Sequence, residues 1–165
     1  MHNVPVAFEI LPTGAPVTVG WKKSSGHLIW DVKMDFTQKD RWVKDGHHTP
    51  DPKESNYAGV VSRDSVITAL TYAALNDVDV TAADIQNAYF QATSYEKHYV
   101  ICGKGFGLEH KGKIAIIRPA LYGGKLDGKD FWTHLRICMT FLGFKSCQAD
   151  SDIWMIEATN TDGMD

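Results

Sequence analysis

The sequence has few cysteines, no long apolar run and no excess of positive charge, and each shortage removes a class of protein. Its three cysteines, Cys102, Cys138 and Cys147, form no C-x-x-C pair and leave an odd number, which argues against both a disulfide framework and a zinc site. A reducing compartment is the simpler expectation. No apolar stretch approaches the roughly 18 residues that a membrane span needs. The start, MHNVPVAFEI, has no charged leader followed by an apolar core, so an intracellular protein without a membrane partner is predicted. The formal charge of −3 lacks the basic excess of a dedicated nucleic-acid-binding module. What is present fits one folded domain: 165 residues with 44% hydrophobic content can bury a core, and 22% charged residues is ordinary for a globular chain.

Periodicity predicts mixed elements. In HLIWDVKMDF, residues 27–36, apolar Leu28, Trp30, Val32, Met34 and Phe36 alternate with the rest, the pattern of a strand with one buried face. A polar turn, TQKD, then leads into RWVKDG, so residues 27–46 read as a β-hairpin. The proline-bearing HHTPDPKESNYA, residues 47–58, reads as a loop. Ser62 is placed to cap a helix carrying Val66, Ile67, Leu70, Ala73 and Ala74 on one face and ending near Asn76-Asp77. VDVTAADI follows as a central strand, and NAYFQATSY as a turn or short helix. HYVIC and IAIIRP read as paired strands joined by the glycine-rich GKGFGLEHKGK. A second helix is predicted over about residues 129–143, with Phe131, Leu135, Cys138 and Leu142 on one face and Gly143 at its end, and DIWMIEA as a last strand. Strands and helices mix without a regular βαβ repeat, which makes the class α+β. The first twenty or so residues and the tail TNTDGMD are expected to be poorly tied down.

ADIQNAYF raises a chemical question, because it runs an apolar strand into the carboxylate of Asp84. A buried acid is costly unless it is hydrogen-bonded, solvated or bound to a cation. The stretch therefore points to a metal or a polar network.

MDFTQKDRWVKDGHHT, YAGVVSRDS, ALNDVDVTAADIQNAYF, GKIAIIRPALYGGK and LGFKSCQADSDIWM, in this order, resemble the reverse transcriptase of Ty1/copia-type retrotransposons. The resemblance covers residues 27–158 and leaves 1–26 and 159–165 as flanks. It implies the fingers and partial palm of a right-hand RNA-directed DNA polymerase, with residues 27–60 as fingers and ADIQNAYF as the first palm motif. Asp84 then matches the first metal-binding aspartate, with the backbone carbonyl of Ile85 as a second ligand. Such enzymes use two Mg²⁺ (or Mn²⁺) ions about 4 Å apart to activate the primer hydroxyl and stabilise pyrophosphate. Tyr89 matches the residue that stacks under the incoming sugar and excludes a ribose 2′-hydroxyl; the alternative is a core tyrosine beside Phe90. Lys39 and Arg41, two apart on one strand face, match the triphosphate-binding region, where a guanidinium fork suits phosphate; a solvated strand face is the alternative. Gly123 and Gly124 would let backbone approach template and nascent base pair, and Lys125 would meet a phosphate. RNA or DNA template-primer and dNTP are the implied partners, and cytoplasm or virus-like particles the implied location.

The chain departs from the family pattern at Gly124, where relatives have Leu, and at Asp127, an acid near the expected template path. No Tyr-x-Asp-Asp box follows the D-x-W-M-like strand, and one aspartate cannot hold two hard cations that each need several oxygen ligands. Asp150 and Asp152 read as turn chemistry. The predicted chain is thus a fragment lacking part of the palm, thumb and RNase H, inactive alone; a non-catalytic remnant that binds nucleic acid or a protein is the alternative. His47, His48 and Asp51 form no metal site, GKGFG has no P-loop continuation, and Ser62 and Ser65 have no hydrolase context.

Overall fold

In the computed structural model, which describes residues 7–157, eight strands and two α-helices, with short 3₁₀ turns between them, form an α+β protein. The chain divides into two compact units, Met1–Tyr57 with Gln86–His134, and Ala58–Ile85 with Leu135–Asp165.

The first unit is built on a four-stranded sheet of β1 (Phe8–Ile10), β2 (Lys22–Lys23), β5 (Thr93–Ile101) and β6 (Ile114–Pro119), in the order β1-β6-β5-β2. HYVIC and IAIIRP pair antiparallel, as their composition predicts, with Tyr99 opposite Ile116 and Val100 opposite Ala115. Alternation along β5 buries Ser94, His98 and Val100 on one side. The apolar end of that face meets Cys102, Ala115, Ile117 and Leu121, with Phe8, Ile10, Trp42, Phe90 and Phe106 packed around them. The expectation of a loose amino-terminal flank fails at Phe8–Ile10 and Lys22–Lys23. Phe8–Ile10 pairs with β6, and Lys22–Lys23 runs parallel to β5, because both segments supply backbone to open sheet edges. Residues 1–6 and the tail 159–165 lie outside the described residues.

A hairpin of β3 (Gly26–Val32) and β4 (Gln38–Lys44) also belongs to this unit, in register from Gly26 opposite Lys44 to Val32 opposite Gln38. Its reversal lies at residues 33–37, earlier than TQKD, because Phe36 takes a left-handed φ of 61° and Asp35 accepts the Thr37 N–H at 3.0 Å. The hairpin itself is as expected, but its apolar face is not buried. Trp30 is 71% exposed and Met34 fully so, since among the described residues no second layer of this unit covers the tip.

The second unit carries α1 (Arg63–Leu75), the carboxyl-terminal half of α2 (Asp127–Phe141), and the small ribbon of β7 (Lys145–Ser146) and β8 (Trp154–Met155). Ser62 caps α1 as predicted, its hydroxyl oxygen accepting the Ser65 N–H at 3.0 Å. Asp150 reinforces that cap: one carboxylate oxygen accepts from the Ser62 N–H at 2.9 Å and the Ser65 hydroxyl at 2.7 Å, the other from the Asp152 N–H at 3.1 Å. The turn reading of Asp150-Ser151-Asp152 therefore holds, with a capping role added. Helix α2 ends in a Schellman motif, in which Gly143 N–H reaches the Thr140 carbonyl and Phe144 N–H the Met139 carbonyl, both at 3.0 Å. Gly143 sits at φ 90°, where glycine alone is unstrained. The predicted central strand VDVTAADI is absent: residues 78–85 are exposed and have no ladder partner among the described residues, and the Val78 N–H turns back to the Ala73 carbonyl at 2.9 Å instead of pairing with a strand. No helix among the described residues is long and apolar enough to cross a membrane.

Candidate functional site

The residues singled out by sequence fall in both units. Lys39, Arg41, Tyr89, Gly123, Gly124 and Lys125 belong to the first, and Asp84 and Ile85 to the second.

In the first unit, the β4 ladder sets Lys39 opposite Asp31 and Arg41 opposite Ile29. Both cations are half-buried, and neither side chain makes a hydrogen bond or ion pair among the described residues. They are available to an anion. Tyr89 lies in a 3₁₀ turn, Ala88–Gln91, entered through Asn87 at φ 53°. Its half-buried ring stands 4.5 Å from that of Tyr122 and 5.8 Å from that of Phe131, an aromatic cluster. Neighbouring Phe90 packs on the core, so the two aromatics of AYF serve different layers.

Gly123 and Gly124 have an internal use. Gly123 adopts φ 88°, and a Cβ there would strike the Lys44 carbonyl and Val43; one on Gly124 would strike the Asp127 carboxylate and the Lys44 side chain. The Lys44 N–H donates to the Tyr122 carbonyl at 2.7 Å, so the turn is clamped to the end of β4. The close approach that these glycines permit is made by the protein's own backbone. Lys125 donates to the Thr49 carbonyl and to Asp51, each at 2.7 Å, holding the 46–51 loop.

Asp84 and Ile85 are exposed and stand in the irregular segment that replaces the expected strand. No group of three or more His, Cys, Asp or Glu residues among those described is arranged to hold a metal ion. These residues by themselves do not fit a site for two hard cations.

Sequence reasoning missed the polar network beneath the Gly123-Gly124 turn. Lys44 Nζ lies 2.9 Å from Asp127 Oδ2 with both side chains 2% exposed, and Ser94 donates its hydroxyl to the other Asp127 oxygen at 3.3 Å. Asp130, three residues on in the first turn of α2, accepts the Tyr95 N–H at 3.1 Å. Burial raises the Asp130 carboxyl above the usual carboxylate range; the Tyr95 bond opposes the rise and the Asp127 charge adds to it. His98, fully buried, contacts Glu96 at 3.1 Å, and Glu96 in turn accepts from Lys22 at 2.6 Å. Burial, helped by the nearby Lys44 charge, holds His98 below its ordinary value and hence neutral near pH 7. Burial also pushes Glu96 up, but its bonds to Lys22 and His98 outweigh that and leave it lowered.

Two sequence signals pointed to this network. Asp127-x-x-Asp130 opens a helix, where carboxylates are favoured by the positive end of the dipole, and Ser94, Glu96 and His98 alternate along a strand whose continuation is apolar. Lys44, Ser94, His98, Asp127 and Asp130 are closed to solvent, so the chemistry of this part is positional: it fixes the Gly-Gly turn, the end of β4 and the start of α2 as one body. No family model matches the chain, and no solved structure matches it.

Proposed function

We propose that the chain is the fingers and partial palm of an RNA-directed DNA polymerase of Ty1/copia type, a right-hand polymerase in which Asp84 supplies one metal-binding carboxylate of the complete enzyme. The observation that carries the reading is the set of five collinear blocks between residues 27 and 158, with ADIQNAYF ahead of RPALYGGK. Two structural features support it. Arg41 and Lys39 have no partner among the described residues and so are free to meet phosphate, and the half-buried Tyr89 ring is seated on other aromatics, which would hold it rigid beneath a sugar. Arg41 would grip triphosphate oxygens with its planar fork, and Tyr89 would exclude the 2′-hydroxyl by contact. In this reading Gly123, Gly124 and Lys125 shape the template side through the turn they build rather than through free groups.

The test is a chimaera in which residues 27–158 replace the matching part of an active copia-type reverse transcriptase. Primer extension with Mg²⁺ is expected, lost on Asp84→Asn, whereas Tyr89→Ala should raise ribonucleotide incorporation more than it lowers deoxynucleotide turnover. A folded chimaera whose extension survives Asp84→Asn overturns the reading. A second reading, a non-catalytic remnant that binds nucleic acid, is favoured by the solitary exposure of Asp84. It predicts that the unaltered 165-residue chain retains salt-sensitive binding to an RNA–DNA duplex that Arg41→Ala weakens.

A further inference from the structure

The first unit contains a half-open cavity of about 560 Å³, none of whose lining residues was assigned above to nucleotide, template or metal. Its apolar walls include Phe8, Trp42 and Phe106, and Phe8 meets both other rings edge to face at 5.0 Å. Trp42 lies so close over Gly26 that a Cβ there would collide with the indole. The wall is thus fixed by packing, and it presents aromatic surface to whatever enters.

The polar part of the lining is one-sided. Lys23 and His27 stand on it, and no carboxylate does. Lys22 is held by Glu96 at 2.6 Å, whereas Lys23, turned the other way by strand alternation, has no hydrogen bond or ion pair among the described residues. Asp45, which two lining residues bond, is occupied: His27 Nδ1 contacts one of its oxygens at 2.8 Å and the Ser25 hydroxyl donates to the other at 2.7 Å. The Ser25 bond, with His27 assisting, holds Asp45 below the usual carboxylate range, so it stays an acceptor for both. With His27 Nδ1 taken by Asp45, the Lys23 ammonium remains to meet a ligand.

We propose that this cavity is a binding site for a small aromatic carboxylate, its ring against Trp42 and Phe106 and its carboxylate at Lys23. The volume falls in the range of small-molecule sites, which are mostly apolar with a few placed polar groups. An aromatic body suits edge and face contacts with three rings, and a single anionic group suits a free ammonium with no competing acid on the wall.

The probe is 1-naphthoate, titrated into the full chain and followed by the Trp42 indole N–H resonance, assigned with Trp42→Phe. Saturable one-to-one binding is expected, with the uncharged 1-naphthalenemethanol binding about tenfold more weakly, the usual value of one charge-assisted contact. Lys23→Gln should abolish that preference while leaving the alcohol unaffected. An unmoved Trp42 signal, equal affinity for acid and alcohol, or a folded Lys23→Gln protein that keeps the acid preference would each overturn the site. The polymerase reading stands or falls separately, since none of these substitutions touches its residues.

Discussion

Replacing Lys44 by Met tests whether the network under the Gly-Gly turn holds the first unit together. At 2.9 Å, two unit charges attract by roughly 6 kcal/mol at an effective dielectric near 20. Desolvating each ion costs several kcal/mol, so the pair as a whole contributes little net stability. Removing one member is different, because the desolvation of the survivor is then uncompensated. Lys44→Met should therefore cost about 3–5 kcal/mol, as should Asp127→Asn, which leaves the ammonium facing a neutral amide. The double variant buries no unpaired charge from this pair, so it should be more stable than the sum of the single losses by about 1–3 kcal/mol. Amide hydrogen exchange of β5 and β6 in denaturant measures this in the first unit alone. Losses that add to within about 0.5 kcal/mol would show that the two groups do not interact, and would refute the account of the turn.

Three further outcomes are expected. The raised carboxyl of Asp130 makes its charged form a burden, so its contribution is most favourable below the unfolded value of 3.8 and declines as pH rises toward the folded one; Asp130→Asn should stabilise the protein at pH 7 and flatten the stability profile in that window. Asp150 has the opposite sign. The Ser65 hydroxyl, then the Ser62 and Asp152 N–H groups, hold it at about 2, so its stabilisation is present above 3.8 and fades as pH falls toward 2, and Asp150→Asn should remove that loss of α1 helicity in an acid titration. Gly143→Ala should cost about 1 kcal/mol, read by thermal unfolding of the second unit, because φ 90° forces an L side chain into a strained region.

Much of the local structure was legible in the sequence because it rests on neighbours in the chain. Ser62 before an apolar-periodic run, Gly143 after one, and two β-rich runs around GKGFG each place their own hydrogen bonds, and all three appear where expected. The hairpin of β3 and β4 was legible too, but its buried face was not, since alternation reports what a strand offers and not whether a layer arrives to cover it. For the same reason VDVTAADI reads as a strand and forms none: strand pairing needs a partner, and β-propensity is a weak prior without one.

Of the candidate site, the sequence by itself determined the residue types and their order, a carboxylate in ADIQNAYF, an aromatic five residues later, cations on a strand and a double glycine after RPALY. Tertiary structure alone decided what each faces. Among the described residues it leaves Arg41 and Lys39 unpartnered, seats Tyr89 on Tyr122 and Phe131, and exposes Asp84. It also turns Gly123 and Gly124 onto Lys44 and brings Asp127 and Asp130 from one helix to Ser94 and Tyr95 on a strand more than thirty positions earlier. Burial of charge is a property of the assembled layers, because only there is water removed from both partners at once. No periodicity in the chain records it.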